Sequence, residues 1–246
     1  MKNSKYLSYF VLAVLLLFIG SESYGESELR QVDQKRNKLI GYILSKKLPS
    51  LHFSEKDVDD DLANAAYGLY LKQLDFQKRF LLRTDVDQLQ TFSDLIDDNL
   101  KRGTIILPAT GYDIFSERIS QVEQIVAALL AEKIDPNAPD EMETDPEKID
   151  YAEDIAQLEE RWRRIIKAQV LTRYLDLEEE KKEDKEEVDS EKILKEATEK
   201  VEKRFNDFFQ RLKQETLQDH YDRFFNAVTR AFDPHTNYMA PAKKED

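Results

Sequence analysis

Residues 216–241 read TLQDHYDRFFNAVTRAFDPHTNYMAP, and this stretch predicts a long amphipathic helix with an abrupt end. The helix begins at Thr216, and its core face carries apolar side chains at helical spacing: Tyr221, Phe224, Phe225, Val228 and Phe232. Neighbouring phenylalanines make the apolar arc wider than a narrow stripe. Such an arc predicts a helix buried on two sides, for example between this bundle and a following domain.

The helix is predicted to stop at Asp233-Pro234, because proline fixes its own φ and pushes the preceding residue out of helical geometry. Thr236 and Tyr238 then alternate along an extended segment, ready to pair with a strand of a following domain. Without that partner we expect 235–246 to be frayed. The residues that form this candidate interdomain junction are Asp233, Pro234, His235, Thr236, Asn237 and Tyr238.

The remainder of the chain predicts helices as well. The whole chain holds only 6 glycines in 246 residues, the last at Gly111, whereas sheets and tight turns usually need more. Helical periodicity recurs in seven segments, near 32–44, 54–74, 84–103, 112–133, 146–177, 194–212 and 216–232. The fold class is therefore all-α, an irregular multi-helix bundle of about seven helices with acidic connectors.

Several helix ends and one core face follow from local signals. A capping-box-like Ser54-Glu55-Lys56-Asp57 is expected to start the second helix, Thr84-Asp85 the third, and Pro146 the first turn of the fifth. Gly103 suits the end of the third helix. On the first helix the predicted core face is Val32, Leu39, Ile40, Ile43 and Leu44.

Two connectors are strongly acidic. Residues 135–150 hold three prolines and seven acids, which predicts a mobile loop. In 178–192, 13 of 15 residues are charged, which is typical either of a solvated helix with pairs such as Glu178–Lys182 or of a disordered connector.

The first 25 residues are typical of a secretory signal peptide. Lys2 and Lys5 precede an apolar core at 11–19, and Ser23 and Gly25 place small residues at a cleavage site. The alternative is a retained inner-membrane anchor facing the periplasm. The apolar run from Tyr6 to Gly20 is shorter than the roughly 20 residues that span a bilayer, so we expect cleavage and a periplasmic chain.

Composition and motifs exclude several function classes. The absence of cysteine excludes disulfides and thiolate chemistry, and the net charge of −13 argues against nucleic acid as a partner. No histidine has metal-ligand spacing, and no phosphate loop or nucleophile motif is present, so we expect no cofactor and no catalytic residue. His52 and His220 are interpreted as ordinary surface or core-edge residues.

Four segments, in order, resemble the N-terminal region of tail-specific (carboxy-terminal processing) serine proteases. They are LHFS with VDDDL at 51–62, YLKQLD with FL and DV at 70–86, ERWRRIIK at 160–167, and DPHTNYMAP at 233–241. One departure is Phe76, where the family usually has proline. The last motif resembles the family's junction between its helical region and its PDZ and protease domains.

The resemblance implies a domain order of 1–25 signal peptide, 26–232 helical domain and 233–246 junction. The family's catalytic serine and lysine lie in a later protease domain, so it implies no catalytic residue here. It implies a non-catalytic scaffold that holds the PDZ and protease domains, shapes access for protein substrates of the envelope and offers a surface to periplasmic adaptors. It also implies that the chain is truncated or partial. The alternative is a free-standing periplasmic interaction or chaperone-like helical protein.

Overall fold

A computed structural model describes residues 29–53, 56–184 and 188–240. Nine α-helices lie in this part of the chain: α1 Gln34–Tyr42, α2 Leu48–Leu51, α3 Asp60–Leu74, α4 Arg83–Gln90, α5 Ile96–Arg102, α6 Leu107–Ala131, α7 Ile155–Glu183, α8 Ser190–Lys213 and α9 Leu217–Phe232. A π-helical turn, Ile43–Lys47, follows α1, and a 3₁₀ turn, Ser93–Leu95, precedes α5. Within the described ranges there is no strand, only an isolated bridge between Leu82 and Ala152.

The all-α prediction is confirmed, and seven of these helices have eight or more residues. The predicted signal peptide falls outside the described residues. In the part of the chain that the structure covers, no helix combines the length and apolar character needed to cross a bilayer.

The centre of the core is the pairing of α3 with α9, and α9 also packs on α6 and α1. Thr216 caps α9 through a capping box with Asp219, and all five predicted core residues of the helix are buried. Tyr70 of α3 meets Phe224 edge-on, with ring centroids 6.1 Å apart. The wide apolar arc of α9 is therefore filled inside this domain by α3 and α6, and Phe224 and Phe225 need no further domain to bury them.

A glycine is required at position 111 of α6, where the side chain of Tyr70 from α3 reaches the backbone. A Cβ at this position would collide with the hydroxyl of Tyr70, a fully buried side chain. The absence of a side chain on Gly111 thus leaves room for the Tyr70 ring and hydroxyl.

α7 and α8 pack side by side, and aromatic rings from both helices contact each other between them. Trp162 is fully buried, meets Phe205 edge-on at 5.7 Å, and donates its indole N–H to the Arg79 carbonyl at 2.7 Å. The charged run 178–192 extends these helices, since α7 continues to Glu183 and α8 starts at Ser190. The predicted Glu178–Lys182 pair forms at 2.8 Å. The described part of this run thus agrees with the solvated-helix interpretation.

Several predicted boundaries were wrong, and at the starts of α3 and α7 the reason is that other residues cap the helix. α3 begins at Asp60, where the Asp59 carboxylate accepts the Leu62 N–H, and the proposed cap Ser54 lies outside the described residues. The third predicted helix breaks after Gln90 into two pieces, and α6 begins at Leu107, five residues before its predicted start. α7 begins at Ile155, capped by Asp154, so Pro146 belongs to the preceding loop. Gly103, with φ of 72°, ends α5 as predicted.

The predicted core face of α1 was partly wrong. Asn37, Gly41 and Leu44 point inward, whereas Leu39 and Ile43 are exposed. Gly41 lies so close to α5 that an added Cβ would be 3.2 Å from the Leu100 carbonyl oxygen. Close backbone packing and a buried polar side chain decide which side of α1 faces the core, and apolar periodicity does not report either.

Candidate interdomain junction

A β-turn follows α9 and reverses the chain. Asp233 has extended backbone angles, and its N–H donates to the Thr229 carbonyl at 3.0 Å, which closes the helix. The Asp233 carboxylate accepts the His235 N–H at 2.8 Å, and its carbonyl accepts the Thr236 N–H at 2.9 Å. Asp at the first position and Pro at the second favour this turn. The predicted break at Asp233-Pro234 is thus confirmed and directs the tail back along α9.

Tyr238 fixes the tail to α9 and α1. Its hydroxyl accepts from Arg36 Nη2 at 2.8 Å and lies 3.4 Å from Asp222 Oδ1, while its backbone N–H donates to Asn226 Oδ1 at 3.3 Å. The ring meets Phe225 edge-on, with centroids 5.6 Å apart. We call the three polar side chains Arg36, Asp222 and Tyr238 the junction clamp.

Charge strengthens the clamp. Arg36 Nη2 lies 2.6 Å from Asp222 Oδ1, and both side chains are mostly shielded from water. Burial lowers the pKa of Arg36, but its bonds to Tyr238 and Asp222 outweigh that effect and raise the pKa overall. Burial raises the pKa of Tyr238, so its hydroxyl stays protonated at neutral pH. The clamp is therefore one ion pair with a neutral phenol bonded to it.

A second polar contact aligns α1 with α9 beside the clamp. The side-chain amides of Asn37 and Gln218 exchange two hydrogen bonds, of 3.3 and 3.0 Å. Asn37 is buried, which makes these bonds costly to lose because each buried amide group would remain unsatisfied. Together with the close packing at Gly41, these bonds fix the position of α1, and with it that of Arg36.

The segment before α3 also contacts the candidate junction. His52 Nε2 lies 3.3 Å from Thr236 Oγ1, and the His52 ring meets Phe232 edge-on at 5.2 Å. Lys56 Nζ donates to the Phe232 carbonyl at 2.9 Å, where a cation complements the negative end of the α9 dipole. His52 and Lys56 are both far from α9 in the sequence, but they contact its end in the structure.

The expectation of a frayed segment from His235 onward was wrong for Thr236 and Tyr238. Both side chains face this domain, because the polar groups of α1, α9 and His52 offer them partners. The predicted alternation is present, since Pro234, His235, Asn237 and Met239 are exposed on the other side. Leu51 and Phe53, on either side of His52, are exposed as well. We call the exposed apolar residues Leu51, Phe53 and Met239 the outer junction face.

A partly buried ionic group lies at the opposite end of α9. Glu215 Oε2 is 2.8 Å from Arg223 Nη2 and 3.4 Å from His220 Nε2. Burial raises the pKa of Glu215, but the bonds to His220 and Arg223 outweigh it and lower that pKa to about 2. Burial also lowers the pKa of His220, so this imidazole is neutral at pH 7 and lies inside the core. In the described ranges, no three acidic or histidine side chains are grouped to hold a metal ion.

A protein-family model with the description "Tail specific protease N-terminal domain" matches residues 44–242. The chain belongs to the tail-specific protease N-terminal domain family. It is also 28% identical over 196 residues to the tail-specific protease of Haemophilus influenzae. That alignment covers 79% of this chain and 26% of the Haemophilus protein, so the chain spans about a quarter of the length of this relative. The family range contains α2 to α9 and the whole turn at Asp233, and it leaves α1 outside.

The sequence motif indicated the candidate junction segment, but not the residues that contact it. It indicated Asp233 to Tyr238, and the structure adds Arg36, His52 and Asn226. A signal for His52 was present, because His52 belongs to a segment that resembles the family. Nothing in the local pattern marked Arg36, which lies 202 residues from Tyr238 in the chain.

Proposed function

We propose that this chain is the non-catalytic N-terminal scaffold of a carboxy-terminal processing serine protease that acts on envelope proteins. In this proposal the domains are 1–25 signal peptide, 26–232 helical domain and 233–246 junction. The helical domain holds the PDZ and protease domains in place and shapes substrate access. Catalysis belongs to those later domains, and this chain alone does not cleave proteins.

The observation that carries the proposal is the docking of Tyr238 on the junction clamp. A flexible linker would leave the next domain free to reorient, since interdomain motion is the default unless contacts restrain it. Here the turn at Asp233 and the bonds of Tyr238 fix the direction in which the chain leaves α9. A fixed exit direction is what a scaffold needs to orient a following domain.

The outer junction face is the surface that we assign to the following domain. Leu51, Phe53 and Met239 are each more than 80% exposed, whereas the other exposed large apolar side chains of the described residues are at most 60% exposed. Phe53 follows His52, which contacts the turn, so this face adjoins the exit of the chain. The remaining charged helix surfaces are available to periplasmic adaptors, and export by the signal peptide places the domain in the periplasm.

The test is a fusion of residues 26–246 to the PDZ and protease region of the Haemophilus tail-specific protease. We expect the fusion to degrade an unfolded protein substrate, and Tyr238→Ala to reduce turnover by loosening the exit direction. Tyr42→Ala is the matched control, because Tyr42 is exposed on α1. Circular dichroism of each fusion shows that the helical domain remains folded.

An equal turnover of the Tyr238→Ala and Tyr42→Ala fusions would contradict the scaffold proposal. Proteolysis by residues 26–246 alone, abolished by one serine or lysine substitution in that chain, would contradict the non-catalytic assignment. Suppression of aggregation of unfolded proteins by residues 26–246, without any effect of the junction on the fusion, would favour the chaperone-like alternative.

A further inference from the structure

The outward side of α1 and of the turn that follows it carries an apolar stripe that is exposed in the part of the chain that the structure describes. Leu39, Tyr42 and Ile43 are 59%, 49% and 43% exposed. Their i, i+3 and i+4 spacing places them on one side of the helix. The inward side of the same helix is fixed by Asn37, Gly41 and Leu44, so the stripe cannot rotate into the core.

Lysines lie at both ends of this stripe. Lys35 precedes Leu39 by one helical turn, and Lys46 follows Tyr42 by one turn, with Lys47 next to it. All three lysines are exposed. We call Lys35, Leu39, Tyr42, Ile43, Lys46 and Lys47 the α1 outer stripe.

The stripe is also the centre of a basic segment in an acidic chain. Residues 34–51 contain four lysines and one arginine and no acidic residue, whereas the whole chain has a net charge of −13. Arg36 is engaged with Asp222 in the junction clamp. The positive charge on the outward side is therefore lysine charge, concentrated where the exposed apolar side chains lie.

Lysine next to exposed leucine, isoleucine and tyrosine favours a lipid surface over a protein surface. The cores of protein interfaces are depleted in lysine. In an interfacial helix, lysine stems lie along the apolar boundary while the ammonium groups reach anionic headgroups, and tyrosine suits the headgroup level. Lys35 and Lys46, one at each end of the apolar stripe, have the positions that this arrangement requires.

We propose that the α1 outer stripe binds the surface of an anionic phospholipid bilayer. The apolar side chains enter the headgroup boundary, and Lys35, Lys46 and Lys47 contact anionic headgroups. Lys35 and the three apolar residues of the stripe precede the family range at 44–242, whereas Lys46 and Lys47 lie inside it. It does not depend on the proposed protease function.

The test is co-sedimentation of residues 26–246, which retain every described contact, with phospholipid vesicles. Omitting 1–25 removes the predicted signal peptide as a source of binding. We expect binding to mixed phosphatidylglycerol and phosphatidylcholine vesicles, with little binding to phosphatidylcholine alone. Binding should fall as salt rises, because the Debye length shortens.

Two variants divide the stripe into its charged and apolar parts. Lys35→Gln with Lys46→Gln and Lys47→Gln should weaken binding at least ~10-fold, because each lysine near an anionic surface contributes to the attraction. Leu39→Ser with Tyr42→Ser should weaken it by a similar factor through lost apolar burial. Leu175→Ser is the matched control, because Leu175 is 60% exposed on the distant helix α7. Circular dichroism confirms that each variant is folded.

Binding that neither stripe variant reduces beyond the Leu175→Ser control would overturn the proposal. So would an absence of vesicle binding by the unmodified chain at low salt. Analytical ultracentrifugation tests whether a second copy of the chain, and not a bilayer, covers the stripe. If the chain forms a dimer that the stripe variants dissociate, and vesicles do not compete with that dimer, the stripe binds a second copy and the lipid proposal is wrong.

Discussion

The two halves of the α9 surface stabilise the molecule in different ways. Toward α3 and α6, α9 presents buried rings such as Phe224, and this packing defines the fold. Toward α1 and the tail, it presents Asp222 and Asn226, whose bonds to Arg36 and Tyr238 have specific geometry. The first side buries apolar area and thereby stabilises the fold, and the second sets the direction of the tail. The comparison predicts that the two sides respond differently to substitution.

The largest effect is expected on the apolar side. Phe224→Ala should lower the free energy of unfolding by about 3–5 kcal/mol, because it leaves a cavity against Tyr70 in a fully packed core. Denaturant unfolding followed by circular dichroism measures it. Leu175→Ala, on the exposed side of α7, should change it by less than about 0.5 kcal/mol. Comparable losses for the two variants would show that α9 is not the centre of the core.

The next effect concerns the partly buried charge of Glu215 and its contribution to stability at different pH values. Because the folded pKa of Glu215 is about 2, below its ordinary 4.5, the carboxylate stabilises the fold fully above pH 4.5. That contribution is lost as the pH falls from about 4.5 toward 2. Glu215→Gln should therefore lower stability at pH 7 and flatten its decline across this acid window. Unfolding curves at a series of pH values test it.

Glu202→Gln is the control for that experiment, because Glu202 is exposed on α8. The stability of this variant should decline between pH 4.5 and 2 as steeply as that of the unmodified chain. A Glu215→Gln variant with an unchanged slope between pH 4.5 and 2 would mean that the pairing with His220 and Arg223 does not stabilise the fold.

A smaller effect is expected at the clamp. Tyr238→Phe keeps the ring on Phe225 and removes only the hydroxyl that bonds Arg36, so the loss should be about 1 kcal/mol. Tyr42→Phe changes an exposed tyrosine in the same way and should be neutral. If both variants melt at the temperature of the unmodified chain, the clamp contributes no stability and the contrast between the two sides of α9 is weaker than we infer.

The smallest effect is expected at the turn. Pro234 is exposed, so Pro234→Ala removes no buried contact, and its cost arises mainly from the greater freedom of the unfolded chain. We expect a loss of at most about 1 kcal/mol by calorimetry. A larger loss would show that the turn is part of the folding core.

The same contrast explains what could be predicted from sequence. The stripe of α9, the end of α5 at Gly103 and the break at Asp233 follow from local spacing and backbone restrictions, and all three were predicted correctly. The inward side of α1 was not, because Asn37 and Gly41 are not apolar and their reason to face inward lies on other helices. The clamp could not be predicted either, since Arg36 and Asp222 lie 186 residues apart.

The central claim, that the tail is held by this domain, is tested most directly by amide hydrogen exchange of residues 26–246. We predict that the Tyr238 amide exchanges more slowly than in an unstructured peptide. Asn226→Ala should remove that protection, because the Asn226 side chain accepts this N–H at 3.3 Å, while the core amides of α9 stay protected. Exchange of Tyr238 at the unstructured rate in the unmodified chain, with α9 still protected, would contradict the clamp.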